Sequence, residues 1–131
     1  MLLTEASLTS DFIFDRAFSF EARELSGTHW TPIGVAMRAA HLLVDSPQAR
    51  ILDVGSGVGK FCFVGALRTP GHFTGVEQRQ ELLDEAQTLL RDSKIEHVAF
   101  LHSDAVHIDW SEYTGLYFFN PLENLSGYLY F

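Results

Sequence analysis

The residues best suited to chemistry form a loop with three glycines, Gly55, Gly57 and Gly59. The loop directly follows the apolar run Ile51–Val54, whose acidic member is Asp53. Glycine tolerates a positive φ and lets the backbone come into contact distance of a ligand, which a Cβ would prevent. A short apolar run, a glycine-rich turn and then a helix-like stretch together predict a buried strand that leads into a ligand-binding loop.

Three kinds of nucleotide loop are candidates for Gly55–Gly59. A phosphate-binding P-loop has four residues between its glycines and then Lys followed by Ser or Thr, a pattern that this loop lacks. A dinucleotide-binding loop reads Gly-x-Gly-x-x-Gly, and here the third glycine arrives one residue early. The early glycine should leave no room for a pyrophosphate, so the loop favours a ligand other than a dinucleotide.

A second acidic residue, Glu77, lies at the predicted end of the next strand. Nucleotide-binding folds place a ribose-binding acid about 20 residues beyond the glycine loop, and Glu77 has this spacing. A carboxylate there can accept hydrogen bonds from both ribose hydroxyls. The alternative is a solvated acid at a helix start, where it would suit the helix macrodipole. The preceding Gly75 and Val76 favour the ribose interpretation.

Two further polar residues follow predicted strands. Asp104, followed by Ala105, closes the third strand, where it can instead be a turn residue that caps a short helix. Asn120 and Pro121 follow the fourth strand, in the segment 117–124, and an Asn-Pro pair alone can be a simple turn. All of these residues fall at strand ends, where α/β folds bind their ligands.

In this order, the motifs over residues 51–124 resemble the class I (seven-strand) S-adenosylmethionine-dependent methyltransferases. The resemblance implies S-adenosylmethionine as cofactor, S-adenosylhomocysteine as product and methyl transfer as the reaction. It also implies that Glu77 binds the ribose, and that Asp104 accepts a hydrogen bond from the adenine amino group. The cofactor-binding residues implied in this way are Asp53, Gly55, Ser56, Gly57, Gly59, Glu77, Gln78, Asp104, Ala105 and Thr31.

The resemblance further implies that Asn120 and Pro121 lie beside the transferable methyl group as the catalytic motif. In amino-methylating members this motif reads Asn/Asp-Pro-Pro-aromatic, whereas this chain has Leu122 and Glu123 at the last two positions. Because the stacking aromatic is missing, we expect a protein or a small molecule as acceptor rather than a nucleobase. Thr31 belongs to a short Thr-Pro segment that resembles a lead-in placed over the methionine end of the cofactor.

The elements that must position these residues alternate between strand and helix. Thr31 is the expected N-cap of a helix that starts at Pro32 and runs to about residue 44. Alternating strands and helices imply an α/β fold with a doubly wound, mostly parallel sheet. We expect a helical lead-in over residues 1–30 and a Rossmann-like domain over 31–131. The predicted strands are Arg50–Val54, His72–Val76, Val98–His102 and Leu116–Phe119, and the later helices start near Lys60 and before Leu82.

Composition limits the class of protein. The 131 residues suffice for one domain, and a hydrophobic fraction of 47% with 20% charged residues is that of a folded protein. Nine basic residues against seventeen acidic ones give a net charge of −8, so we expect no nucleic-acid partner. No apolar run is long enough for a membrane span, and the N-terminus lacks a signal-peptide pattern, so we expect a cytoplasmic protein.

A metal site is the main competing interpretation of the residues after the third strand. His102, Asp104, His107 and Asp109 could supply imidazole and carboxylate ligands. His102 falls on a strand and Asp109 beyond a turn, however, so their side chains need not converge. We therefore predict no metal. The single cysteine, Cys62, is expected to be a buried helix residue.

The length of the chain raises a second functional hypothesis. A seven-strand fold needs three more strands after the fourth, and only seven residues follow Asn124. We expect either a fragment of a longer protein or a partner chain, including a second copy, on the edge of the fourth strand. The alternative to a methyltransferase is thus a non-catalytic cofactor-binding or interaction domain that needs a partner or the missing half.

Overall fold

The computed structural model describes residues 2–24 and 30–119 of the chain. Its helices are α1 (Asp11–Asp15), α2 (Phe20–Arg23), α3 (Ile33–Leu43), α4 (Lys60–Arg68) and α5 (Gln80–Ser93). Its strands are β1 (Arg50–Val54), β2 (His72–Glu77), β3 (Val98–His102) and β4 (Gly115–Phe118). Short 3₁₀ helices occupy Glu5–Thr9, Ala105–His107 and Trp110–Glu112.

The four strands form one parallel sheet in the order β3-β2-β1-β4. The chain moves outward from β1 through β2 to β3, and then returns past β1 to form β4 on its other side. The strand order therefore reverses at β1, and Asp53 lies between Gly75 of β2 and Tyr117 of β4. This α/β architecture with a parallel sheet confirms the predicted fold class.

Successive strand residues face opposite sides of the sheet, and each side has its own apolar cluster. On one side, Ile51 and Phe73 pack with buried residues of α3, α4 and α5. On the other, Leu52, Val54 and Val76 pack with Ala105 and with partly buried residues of the segment that leads to β4. The two central strands, β1 and β2, are therefore buried from both sides, as is typical of parallel sheets.

The N-terminal segment packs on the first of these two sides. Phe14 and Phe18 are buried there, with 0% and 5% exposure. The Ser19 backbone N–H donates to Glu85 of α5 at 2.7 Å, and the Leu3 N–H donates to Ser93 at 3.0 Å. These contacts attach the lead-in to α5.

The observed boundaries follow the sequence pattern closely, with two corrections. Strand β4 begins and ends one residue earlier than predicted, because Gly115 pairs with Ile51 of β1. Thr31 is not the N-cap of α3, because Pro32 has the extended cap conformation and the helix begins at Ile33. The Thr31 hydroxyl instead bonds to Tyr117, as described below. Within the described ranges, no helix is long and apolar enough to cross a membrane.

Candidate functional site

The glycine loop connects β1 to α4 and is held against the end of β2. The backbone N–H groups of Gly55 and Ser56 both donate to the Val76 carbonyl, at 2.9 and 3.0 Å. Gly57 and Gly59 have φ values of +59° and +88°, a region that residues with a Cβ rarely adopt. A Cβ on Gly57 would meet no atom within 4 Å, so this part of the loop borders open space.

Glu77 is the last residue of β2, and its carboxylate fixes the glycine loop. One oxygen, Oε1, accepts the Gly57 N–H at 2.8 Å, and Oε2 accepts the Arg79 N–H at 2.9 Å. The Arg79 Nε also donates to Oε2 at 3.3 Å. Glu77 is 3% exposed. Each carboxylate oxygen has two lone pairs, so Oε1 keeps one for a ligand hydroxyl, whereas a hydroxyl on Oε2 would displace the 3.3 Å contact with Arg79 Nε.

Asp53 lies next to Glu77 at the end of β1 and is buried, with 4% exposure. Burial raises the pKa of this carboxyl well above its usual value, and the negative charge of Glu77 raises the pKa further. The Cys62 thiol donates to Asp53 Oδ2 at 3.8 Å, which lowers the pKa in part. The net effect holds the pKa of Asp53 above its usual value, chiefly because burial disfavours a charged carboxylate.

The third strand end lies beyond Glu77 on the same edge of the sheet. The Ser103 N–H donates to the Glu77 carbonyl at 3.2 Å, and His102 contacts the Gln78 carbonyl at 3.0 Å. Asp104 is partly exposed, and its carboxylate contacts Nδ1 of His107. The geometry thus places Gln78 and Asp104 on the edge that carries Glu77.

Ala105 follows Asp104 and is buried, and its carbonyl accepts the Trp110 Nε1–H at 2.8 Å. The residues weighed as metal ligands have other partners: His102 and His107 make the contacts just given, and Asp109 accepts the Ser111 N–H at 3.1 Å. Within residues 2–24 and 30–119, no three His, Cys, Asp or Glu side chains are grouped so that they could hold a metal ion.

A narrow cavity lies on the opposite side of the glycine loop, between the ends of β1 and β4. Its volume is about 20 Å³, room for about one water molecule. The Thr31 and Tyr117 hydroxyls share a hydrogen bond at 3.1 Å beside it, and the Tyr117 ring stacks on Phe61 at 3.9 Å. The residues around the cavity include Trp30, Thr31, Asp53, Ser56, Lys60 and Phe119.

Two buried polar atoms beside this cavity have no hydrogen-bond partner among the described residues. They are Nε1 of Trp30 and Oγ of Ser56. An unpaired buried donor costs about 1–3 kcal/mol, which makes such atoms uncommon in a folded protein. Because both residues line one cavity, a water molecule or a polar ligand group there would complete both hydrogen bonds.

Sequence reasoning missed Lys60, the first residue of α4, which is only 3% exposed. Its ammonium bonds to Asp11 at 2.7 Å and to Asp15 at 2.8 Å, and lies 5.9 Å from the Trp30 ring. A lysine in the first turn of a helix opposes the macrodipole, and this was the one available signal that Lys60 needs acidic partners. The partners lie more than 40 residues away, beyond the reach of local patterns.

The structure thus brings most of the predicted cofactor-binding residues to one edge of the sheet. Asp53, the glycine loop and Glu77 are in direct contact or adjacent, and Thr31 joins them through Tyr117 and the cavity. Gln78, Asp104 and Ala105 continue the same edge. The two residues predicted as catalytic, Asn120 and Pro121, lie outside the described residues.

A parallel α/β sheet with a glycine loop and an acid at the next strand end defines a Rossmann-like, nucleoside-binding class of domain. The sequence profile of a family described as "Methyltransferase domain" matches residues 45–118, more than half of the chain. The chain belongs to this methyltransferase domain family, as the motifs indicated. No curated protein matches it significantly in sequence.

Solved structures support the same fold. An RNA methyltransferase from Salinibacter ruber, crystallised with S-adenosyl-L-homocysteine, matches with a TM-score of 0.64 and 24% identity. EvdMO1 matches with a TM-score of 0.56 and 18% identity, and a protein-L-isoaspartate O-methyltransferase with 0.54 and 21%. The matches cover 73%, 68% and 66% of this chain, but only 64%, 23% and 27% of those three proteins.

Proposed function

We propose that this chain binds S-adenosylmethionine and takes part in methyl transfer, with S-adenosylhomocysteine as product. The observation that carries the proposal is the contact between Glu77 and the Gly57 N–H, which joins the ribose-binding acid to the glycine loop. The open space beside Gly57 and the unpaired Ser56 and Trp30 atoms fit a polar ligand at this edge. The small cavity must widen for the ligand to enter, and Phe119 lines it on one side.

The order of the strands supports an order of contacts along the cofactor. Asp104 and Ala105 follow β3, and Gln78 follows β2 beside His102 of β3; these three residues would receive the adenine. Glu77 would accept the ribose hydroxyls at the end of β2. Beyond it come the loop residues Gly55, Ser56, Gly57 and Gly59, then Asp53 and Thr31, which would surround the methionine portion.

The chain's part in methyl transfer is chiefly one of positioning. Bound S-adenosylmethionine would supply a methyl group on a sulfonium, which an acceptor attacks in line. In favourable cases, holding donor and acceptor in that geometry lowers the activation barrier by about 7 kcal/mol or more. We assign the orientation of the acceptor to Asn120 and Pro121.

The acceptor is proposed to be a protein segment or a small molecule in the cytoplasm. The net charge of −8 opposes a nucleic-acid partner, since phosphate contacts depend on Lys and Arg. The proposed division of the chain is a lead-in over residues 1–30 and a cofactor-binding domain over 31–131.

A second candidate function is a non-catalytic cofactor-binding or interaction domain. One observation favours it: the cavity beside the loop has a volume of about 20 Å³, which is room for about one water molecule and not for a methyl acceptor. In that case the chain would bind the cofactor without transferring its methyl group. Self-association through the β4 edge belongs to this candidate.

Titration calorimetry with S-adenosylhomocysteine tests the cofactor assignment. We expect Glu77→Ala to weaken binding by roughly 1.5–3 kcal/mol, the value of hydrogen bonds to a charged group. Glu77→Gln keeps an acceptor for the Gly57 N–H. This variant therefore separates the loss of the contact with the ligand from a disordering of the glycine loop. The matched control is Glu81→Ala, an exposed acid in the first turn of α5.

Unchanged affinity in folded Glu77→Ala and Glu77→Gln would remove Glu77 from the site. A titration with NAD on the wild-type chain distinguishes the loop types. Micromolar NAD binding without S-adenosylhomocysteine binding would overturn the proposed function. Cofactor binding without methyl transfer to any acceptor offered would favour the second candidate.

A further inference from the structure

We propose that the indole N–H of Trp30 binds the carboxylate of the methionine portion of S-adenosylmethionine, so that Trp30 selects for an intact amino-acid tail. The inference rests on the proposed cofactor and deepens it, because it assigns one side chain to one group of atoms. The resemblance placed the segment that contains Trp30 and Thr31 over the methionine end of the cofactor, but it assigned no contact to the Trp30 side chain.

The first step concerns the donor itself. Trp30 is 5% exposed, and its Nε1 has no partner among the described residues. An indole nitrogen can only donate a hydrogen bond, so its partner must be an acceptor. The ring is fixed by an edge-on contact with Phe18 at 5.1 Å and 73°. A fixed donor that is buried and unpaired is suited to a ligand rather than to bulk water.

The second step concerns position along the sheet. In the order β3-β2-β1-β4, Asp104 follows β3 and Glu77 ends β2. A cofactor with its adenine at β3 and its ribose at β2 extends its remaining part past β1 towards β4. Trp30 lines the cavity at that end, together with Asp53 and Phe119.

The third step concerns which acceptor the remaining part offers. Beyond the ribose, S-adenosylmethionine carries a sulfonium, an amino group and a carboxylate, and only the carboxylate is a strong acceptor. The Lys60 ammonium, 5.9 Å from the Trp30 ring and 3% exposed as a residue, adds a cation beside the cavity. Its Asp11 and Asp15 partners offset that charge, which leaves the indole N–H and the Ser56 hydroxyl as the unpaired donors among the described residues. Burial also raises the pKa of the Asp53 carboxyl, the acid that lines the same cavity.

A comparison of two ligands tests the assignment. S-adenosylmethionine and decarboxylated S-adenosylmethionine differ only in the carboxylate, and both are titrated into the wild-type chain and Trp30→Phe. We expect the wild type to bind the first ligand more tightly than the second. Trp30→Phe should lose about tenfold or more in affinity for S-adenosylmethionine, as for a hydrogen bond to a charged group. Its affinity for the decarboxylated ligand should stay within twofold of the wild type.

Trp110→Phe is the matched control, because the Trp110 Nε1–H is already bonded to the Ala105 carbonyl at 2.8 Å. Any effect of this change should be equal for the two ligands. Equal losses for both ligands in Trp30→Phe, or no loss for either, would overturn the assignment while leaving the proposed cofactor in place. Failure of the wild type to bind either ligand would overturn the proposed function and this inference together.

Discussion

Gly57 and Gly59 share a left-handed backbone conformation, yet their surroundings differ. A Cβ on Gly59 would come within 2.4 Å of the Phe100 ring, which is part of the core. A Cβ on Gly57 would enter open space beside the Glu77 carboxylate contact. The same residue type therefore serves folding at Gly59, and we propose that it serves ligand approach at Gly57.

Substitution by alanine should separate these two roles. Gly59→Ala should lower the free energy of unfolding in two ways. The left-handed backbone conformation costs about 1–2 kcal/mol with a Cβ, and overpacking against Phe100 costs about 1–3 kcal/mol more. Gly57→Ala should lower the free energy of unfolding only by the cost of the left-handed conformation, but it should also weaken S-adenosylhomocysteine binding. Urea unfolding and calorimetric titration of the two variants measure the two effects. Equal stability of the two variants would contradict the distinction.

At this scale, the sequence predicted residues whose role depends on spacing along the chain. Asp53, Glu77 and Asp104 stand at strand ends as the pattern indicated, because a strand end is a local property. The resemblance covered the segment around Trp30 but gave no environment for its indole, and Lys60 could not be found in this way. Their surroundings consist of residues from distant segments, such as Phe18 beside Trp30 and Asp15 beside Lys60.

At the scale of the elements, the buried charge cluster joins the lead-in to the start of α4. Lys60 of α4 contacts Asp11 and Asp15 of α1, and Asp11 also accepts the Ile33 N–H of α3 at 2.8 Å. Burial of Asp11 pushes its pKa up, but the bonds from Lys60 and Ile33 outweigh this and hold the pKa below its usual 3.8. The cluster therefore connects three helices around the glycine loop.

Lys60→Met should destabilise the chain strongly. The cost should reach about 3–5 kcal/mol, the value for breaking a buried ion pair, because the Lys60–Asp15 pair is almost entirely buried, whereas the Asp11 side chain is 50% exposed. The matched control is Arg68→Met at the other end of α4, because the Arg68–Glu5 pair is exposed and worth about 0–1 kcal/mol. Denaturant unfolding at neutral pH measures both. Equal losses in the two variants would contradict a structural role for the cluster.

The effect of Lys60→Met on stability should depend on pH, and the direction follows from the pKa of Asp11. A carboxyl whose pKa is lowered by folding stabilises the native state above its unfolded pKa, and that contribution is lost as the pH falls through the lowered value. For Asp11 the contribution is present at neutral pH and lost below about pH 4. The difference in stability between wild type and Lys60→Met should therefore shrink in acid.

The elements themselves were largely predictable, and the two errors have physical causes. Strand β4 is one residue earlier than expected because its register is set by pairing with β1, which the apolar run alone cannot reveal. The cap of α3 was misassigned because Thr31 has a tertiary partner, Tyr117, that competes for its hydroxyl. In both cases a contact distant in sequence overrides a local preference.

At the scale of the whole molecule, the described sheet ends at β4, which pairs only with β1 among the described strands. The Thr114 N–H donates to the Arg50 carbonyl, so alternate N–H groups of β4 face β1. Those of Gly115 and Tyr117 then face away from the sheet. An edge with unpaired backbone groups and half-buried apolar side chains is a template for pairing with another strand.

We therefore expect the 131-residue chain to self-associate through β4. Light scattering over a wide concentration range should give a mass that rises with concentration. Pairing along β4 should also slow hydrogen exchange at the Gly115 and Tyr117 amides at high concentration, while the outer edge of β3 exchanges as before. The β3 edge serves as the internal control, because it is the other end of the same sheet. A constant monomer mass, with fast exchange at both amides at every concentration, would show that β4 does not mediate association.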